Sequence, residues 1–129
     1  MAGNRIEMRS NLKVGVPNGN TGRLYPKKLF RKIMKKSFMV DLSEHMMNVD
    51  LTYLVGSISD LFIDEDNYLC GFLTLNEKTP HGLVIKSLIK RGANLELNPV
   101  GACIVSDKNE VLNYKLSKMS IIAKENKDG

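Results

Sequence analysis

Hydrophobic and polar positions alternate loosely from Arg5 to Val16 (Ile6, Met8, Leu12, Val14, Val16), a pattern that predicts one or two short strands. The cluster Pro17-Asn18-Gly19-Asn20-Thr21-Gly22 follows and predicts a turn, because Gly and Asn tolerate positive φ. Pro26 suits a first helical turn, and Leu29, Phe30, Ile33 and Met34 then recur at helical spacing, predicting a helix over 27–36 with an apolar stripe inward. Phe38 to Leu42 reads as a strand, and Ser43 to Val49 is ambiguous. Leu51 to Ile63 and Tyr68 to Leu75 are β-rich runs on either side of Asp64-Glu65-Asp66-Asn67, which predicts a hairpin. Thr79 is a good N-cap, Pro80 suits the first helical position and Gly92 suits C′, bracketing a helix over 80–91. Its expected inward stripe is Leu83, Val84, Leu88 and Ile89, or a subset of them. Leu95 to Val105 resumes as strand with a break at Asn98-Pro99, since proline donates nothing to a central ladder. After a turn at Asp107-Lys108-Asn109-Glu110, Val111 to Ala123 is a last long strand, and 124–129 is a polar tail.

The element order β-α-β-β-α-β-β, without repeat or linker, predicts one α+β domain over 1–129 with its core at about 5–123. The expected architecture is a mainly antiparallel sheet or small β-barrel with two main helices. The length of 129 residues, 43% apolar and 26% charged, suits such a domain and is far from disordered composition. No apolar run is long enough for a bilayer span, so no membrane association is expected. Residues 1–10 lack the apolar region of a secretory signal, and Cys70 and Cys103 stand apart, which points to a reducing, intracellular setting.

Charge changes the picture at one place. The net charge is +5, and Lys27, Lys28, Arg31, Lys32, Lys35 and Lys36 put six cations into ten residues without an acid. That density makes the first helix a candidate binding surface for an acidic protein or nucleic acid, although a solvated helix face produces the same pattern. Chemistry is sparser. There is no phosphate-binding glycine loop, and the carboxylates 64/66 and 107/110 fall in turns. A zinc site would have to gather Cys70, Cys103, His45 and His81 from across the fold, so neither metal nor cofactor is expected. Tyr68 and Phe72 share a strand face, where core packing explains them better than base stacking. His45, in the polar run Asp41-Leu42-Ser43-Glu44-His45, is the side chain best suited to proton transfer near neutrality; His81 falls in the first turn of the second helix and is expected to be exposed.

Three segments carry a resemblance. Pro17-Asn18-Gly19-Asn20-Thr21-Gly22-Arg23-Leu24-Tyr25-Pro26-Lys27 is similar to a "PN-x-NGR-I-YP-K" segment that also precedes a helix. Val55-Gly56-Ser57-Ile58 through Tyr68-Leu69-Cys70-Gly71-Phe72-Leu73 is similar to a "vG-x-v…d-g-x-L-x-G-x-i" hairpin. Thr79-Pro80-His81-Gly82 with Leu88-Ile89-Lys90-Arg91-Gly92-Ala93 is similar to a "TP-x-G…L-i-x-x-G-a" helix. In this order, over roughly 13–123, they resemble the prohead core protease family of tailed bacteriophages. Those enzymes digest the internal scaffold during capsid maturation and share a fold with herpesvirus assembly proteases.

The resemblance implies a serine-protease site with a histidine, a serine after the second helix and a third member on a later strand. A serine needs a base to take its proton and a third group to orient that base. His45 matches the family histidine by its place before the hairpin. The nucleophile's segment falls on Glu96-Leu97-Asn98-Pro99-Val100-Gly101, so the expected serine is Asn98 or Pro99, and neither can attack a carbonyl. Cys103 and Ser106 lie five and eight positions past Asn98, and Ser120 stands where the third member is expected. The favoured expectation is therefore a non-catalytic member with a vestigial His45, in the virion or host cytoplasm. It would serve as a structural or interaction component, binding capsid or scaffold protein, or packaged nucleic acid, through the basic helix. The alternatives are an active scaffold-cleaving protease using Cys103 with His45, and a small nucleic-acid-binding or anti-host phage protein.

Overall fold

The structure, a computed structural model, describes residues 5–43 and 47–124. His45 and most of the expected polar tail lie outside the described residues. Six strands, β1 (Arg5–Lys13), β2 (Phe38–Asp41), β3 (Leu54–Ile63), β4 (Tyr68–Leu75), β5 (Leu95–Val105) and β6 (Val111–Ala123), close into a barrel in the order β1-β4-β3-β2-β6-β5. One α-helix, α1 (Pro80–Lys90), connects β4 to β5. The barrel expectation holds, but the strand arrangement is mixed rather than mainly antiparallel. Antiparallel pairs run β1·β4, β3·β4, β2·β3 and β5·β6, whereas β2·β6 (Val40↔Met119, Asp41↔Ser120) and β1·β5 (Ser10↔Leu97) are parallel. Parallel neighbours need long crossovers. These two seams join strands from opposite ends of the chain, which a reading of local periodicity does not reach.

Phe30, Ile58, Leu69, Leu73, Leu97 and Met119 are fully buried at the centre. The first of the two expected helices is helical but not α. Two 3-10 turns, Lys27–Phe30 and Ile33–Lys35, share the segment. Phe30 and Ile33 still reach the core.

Helix α1 starts and stops where the sequence indicates. Thr79 Oγ1 accepts from the Gly82 N–H at 3.0 Å and donates to the Leu54 carbonyl at 2.8 Å, and Gly92 takes φ +81° beyond the last turn. Its inward face differs from expectation. Gly82 and Ile85 are buried and Ile89 is half-buried, while Leu83, Val84 and Leu88 are 50%, 51% and 37% exposed. The cause is a close approach, since a Cβ at Gly82 would lie 2.0 Å from the Asn76 carbonyl oxygen. The helix seats on its Gly82 edge and rotates its larger side chains outward.

Strand β5 runs unbroken through Asn98-Pro99, with Pro99 paired to Met119. Its other neighbour, β1, meets it only at the Ser10–Leu97 bridge, so Pro99 owes no donor on that side. The ladder slips once just beyond, where Val100 pairs with Lys118 and Gly101 with Leu116, leaving Ser117 as an extra residue on β6.

Candidate functional site

Asn98, Pro99 and Ser120, the positions to which the resemblance assigns the nucleophile and third member, lie where β2, β6 and β5 run side by side. Parallel pairing sets Asp41 beside Ser120, and antiparallel pairing sets Asn98 opposite Ser120 on the other flank. Asn98 and Ser120, assigned separately to nucleophile and third member, are thus brought together. Asn98 Nδ2 stands 3.5 Å from Ser120 Oγ, and Asn98 Oδ1 accepts from Asn11 Nδ2 at 2.9 Å. An amide nitrogen is no nucleophile, and this one is engaged with its neighbours. Ser120 itself is fully buried. A cleft of about 180 Å³, lined by Asn11, Asn18, Tyr25, Asn98 and Pro99 among others, opens beside this position.

Two residues from this site were not singled out in the sequence. Lys118 and Asp41 are both wholly buried, with Lys118 Nζ donating to Asp41 Oδ1 at 3.0 Å and Oδ2 at 2.8 Å. A third donor goes to the Ser43 carbonyl. All three of these contacts go to the Asp41 carboxylate and the Ser43 carbonyl, and none to a hydroxyl. Asp41 also accepts from the backbone N–H of Ser43 at 3.0 Å and of Asp50 at 2.8 Å. The ion pair thus ties down both ends of the segment that carries His45. Its sequence signal is slight: a lysine among Leu116, Met119 and Ile121, and an aspartate directly after Val40.

Cys103 faces Tyr114 across the β5–β6 ladder, with the Arg23 guanidinium 3.7 Å from its sulfur. It stands five positions along β5 from Asn98, roughly 17 Å at the usual rise. Cys70 is buried, and burial, with help from the neighbouring Asp64 carboxylate, pushes its thiol up to about 11. At pH 8 a thiol reagent is therefore expected to modify half-buried Cys103 well before Cys70, with both reacting in guanidinium; mass spectrometry counts the adducts, and equal native rates would contradict this arrangement.

The remaining candidates also find their places. Among the described residues no group of three or more His, Cys, Asp or Glu could hold a metal ion. His81 is half-buried rather than exposed, its ring 5.0 Å from that of Tyr53. Tyr68 and Phe72 do share one face of β4, but they lie outside the core cluster, under the Arg9 and Arg5 guanidinium groups at 4.7 and 4.2 Å. Asn18, in the first resembling segment, is 6% exposed and binds the backbone of Lys13 and Arg23, fixing the turn before the basic segment.

The six cations divide. Lys28, Arg31, Lys32 and Lys36 line a cleft of about 490 Å³ together with Lys115 of β6. Lys27 instead lies along Gly15, its Cε 3.0 Å from where a Cβ would stand, and Lys35 is outside the lining. Lys115 carries no signal in the linear sequence, because it joins the others only through the barrel.

No helix among the described residues is long and apolar enough to cross a membrane. No protein-family model and no curated protein matches the chain. The fold, however, is similar to a solved structure, that of the bacteriophage T4 capsid assembly protease gp21, with a TM-score of 0.70 and 23% sequence identity over 91% of this chain and 79% of that one. The chain therefore has the fold of a phage capsid assembly protease.

Proposed function

We propose that the protein is a non-catalytic relative of the phage prohead proteases, serving as a structural or interaction component of capsid assembly in the virion or host cytoplasm. The observation that carries the reading is the pair Asn98-Pro99 where the resemblance expects the nucleophile: proline has no nucleophilic group, and the Asn98 amide is directed at Ser120 and Asn11. The similarity to a capsid assembly protease supports capsid or scaffold protein as the partner class. The Lys118–Asp41 pair supports it further, because it fills with a closed ion pair the region flanking Ser120.

Intact-mass analysis over time tests the reading, with the protein alone, with capsid and scaffold proteins, and beside a His45→Ala variant. Masses are expected to stay constant in every sample. Cleavage that requires His45 would overturn the reading and make Cys103 the first residue to examine as nucleophile.

A further inference from the structure

The 490 Å³ cleft under the basic segment has a composition that the charge count alone does not reveal. Five cations border it, no carboxylate lines it, and none of the five is in an ion pair among the described residues. Lys28 lies in the first 3-10 turn, Arg31, Lys32 and Lys36 cap the two turns, and the fifth, Lys115, comes from β6, so the charges converge from two directions on one concavity. Between them the lining is mostly apolar, with half-buried Leu29, Phe38 and Tyr114 beside the one amide of Asn113. The volume lies within the ~300–1,000 Å³ typical of ligand pockets.

From this convergence we propose that the cleft receives an acidic peptide segment of a protein partner, in which carboxylates flank an apolar side chain. The cations would hold the carboxylates at the rim while the apolar side chain covers Leu29 and Phe38. Nucleic acid fits less well. A single-stranded binder presents open aromatic faces along an extended track, whereas Tyr114 is packed edge-on against Tyr25 at 5.4 Å and close to Phe30 at 5.5 Å. The inference rests on the proposed function only for the partner's role. Peptide binding and peptide cleavage are separate readouts, so either reading can fail alone.

Fluorescence anisotropy with a labelled peptide of four glutamates around one leucine tests it. Lys115→Glu and Arg31→Glu, both at exposed positions, are expected to weaken binding about tenfold or more, while Lys27→Glu and Lys35→Glu, outside the lining, change it less than about threefold. Replacing the peptide's leucine by alanine is expected to weaken binding, and replacing its glutamates by glutamine to abolish it. Equal losses in all four protein variants would mean diffuse charge attraction and overturn the cleft. Absence of binding, or tighter binding of a labelled oligothymidylate than of the peptide, would overturn the acidic-peptide assignment.

Discussion

Lys118→Met is expected to lower stability by about 3–5 kcal/mol, the cost of leaving a buried charge without its partner. Both side chains are wholly buried, so Asp41 would face the interior with only the Ser43 and Asp50 backbone donors. Against a typical total of ~5–15 kcal/mol this is a large fraction, and for a chain of this size it corresponds to a melting point lower by roughly 10–20 °C. The double variant Asp41→Asn with Lys118→Met removes both charges, and the single Asn oxygen can still accept from one of the two backbone N–H groups, of Ser43 or Asp50. It is expected to be more stable than the sum of the two single changes by at least about 1 kcal/mol. Urea melts of the four proteins close this cycle. Strict additivity, or a Lys118→Met loss under about 1 kcal/mol, would mean that the pair is not the closed interaction described.

Phe30→Ala is expected to cost a similar ~3–5 kcal/mol, and here the packing reaches the proposed binding surface. Phe30 is fully buried and packs with Tyr25 and Tyr114 at ring separations of 6.3 and 5.5 Å. It is also the residue by which the first 3-10 turn is anchored to the barrel, since its neighbours Lys27 and Lys28 are exposed. Removing the ring should loosen the frame that holds Lys28, Arg31 and Lys32 around the cleft. The variant is therefore expected to lose acidic-peptide affinity under conditions where its far-UV spectrum is still native. Phe30→Leu, which keeps most of the volume, is expected to retain most stability and binding. A destabilised Phe30→Ala protein with unchanged peptide affinity would separate the anchor from the cleft.

Local chemistry made much of this fold legible. Tyr68 to Leu75 and Val111 to Ala123 begin and end as strands where turn residues flank them, and Thr79, Pro80 and Gly92 bracket α1 because caps act over three or four residues. Where the reading failed, a distant contact prevailed. The inward face of α1 is set by the approach of Gly82 to Asn76, not by where the largest apolar residues lie. The Asn98-Pro99 break disappears because β1 asks nothing of Pro99, and the basic segment folds as two 3-10 turns that bury Phe30 and Ile33 rather than as one α-helix. At the candidate site the resemblance placed Asn98 and Ser120 separately, and the ladder register brought them together. Lys118, Asp41 and Lys115 stayed hidden because their significance is pairwise. A buried lysine declares itself only when its carboxylate, 77 residues away, is known to face it.

The two parallel seams also set the order in which such a chain can assemble. The hairpins β3–β4 and β5–β6 join strands separated by a few residues, and closing short loops is fast. The seams instead wait for Ser10 to find Leu97 and Asp41 to find Ser120, encounters across most of the sequence that carry a high loop-closure cost. Lys118 and Asp41 sit on the two sides of the second seam, so the pairing that joins β2 to β6 is also what buries them together. Ring closure and desolvation of the pair are expected to be one late event, which makes barrel completion a slow, nearly all-or-none step.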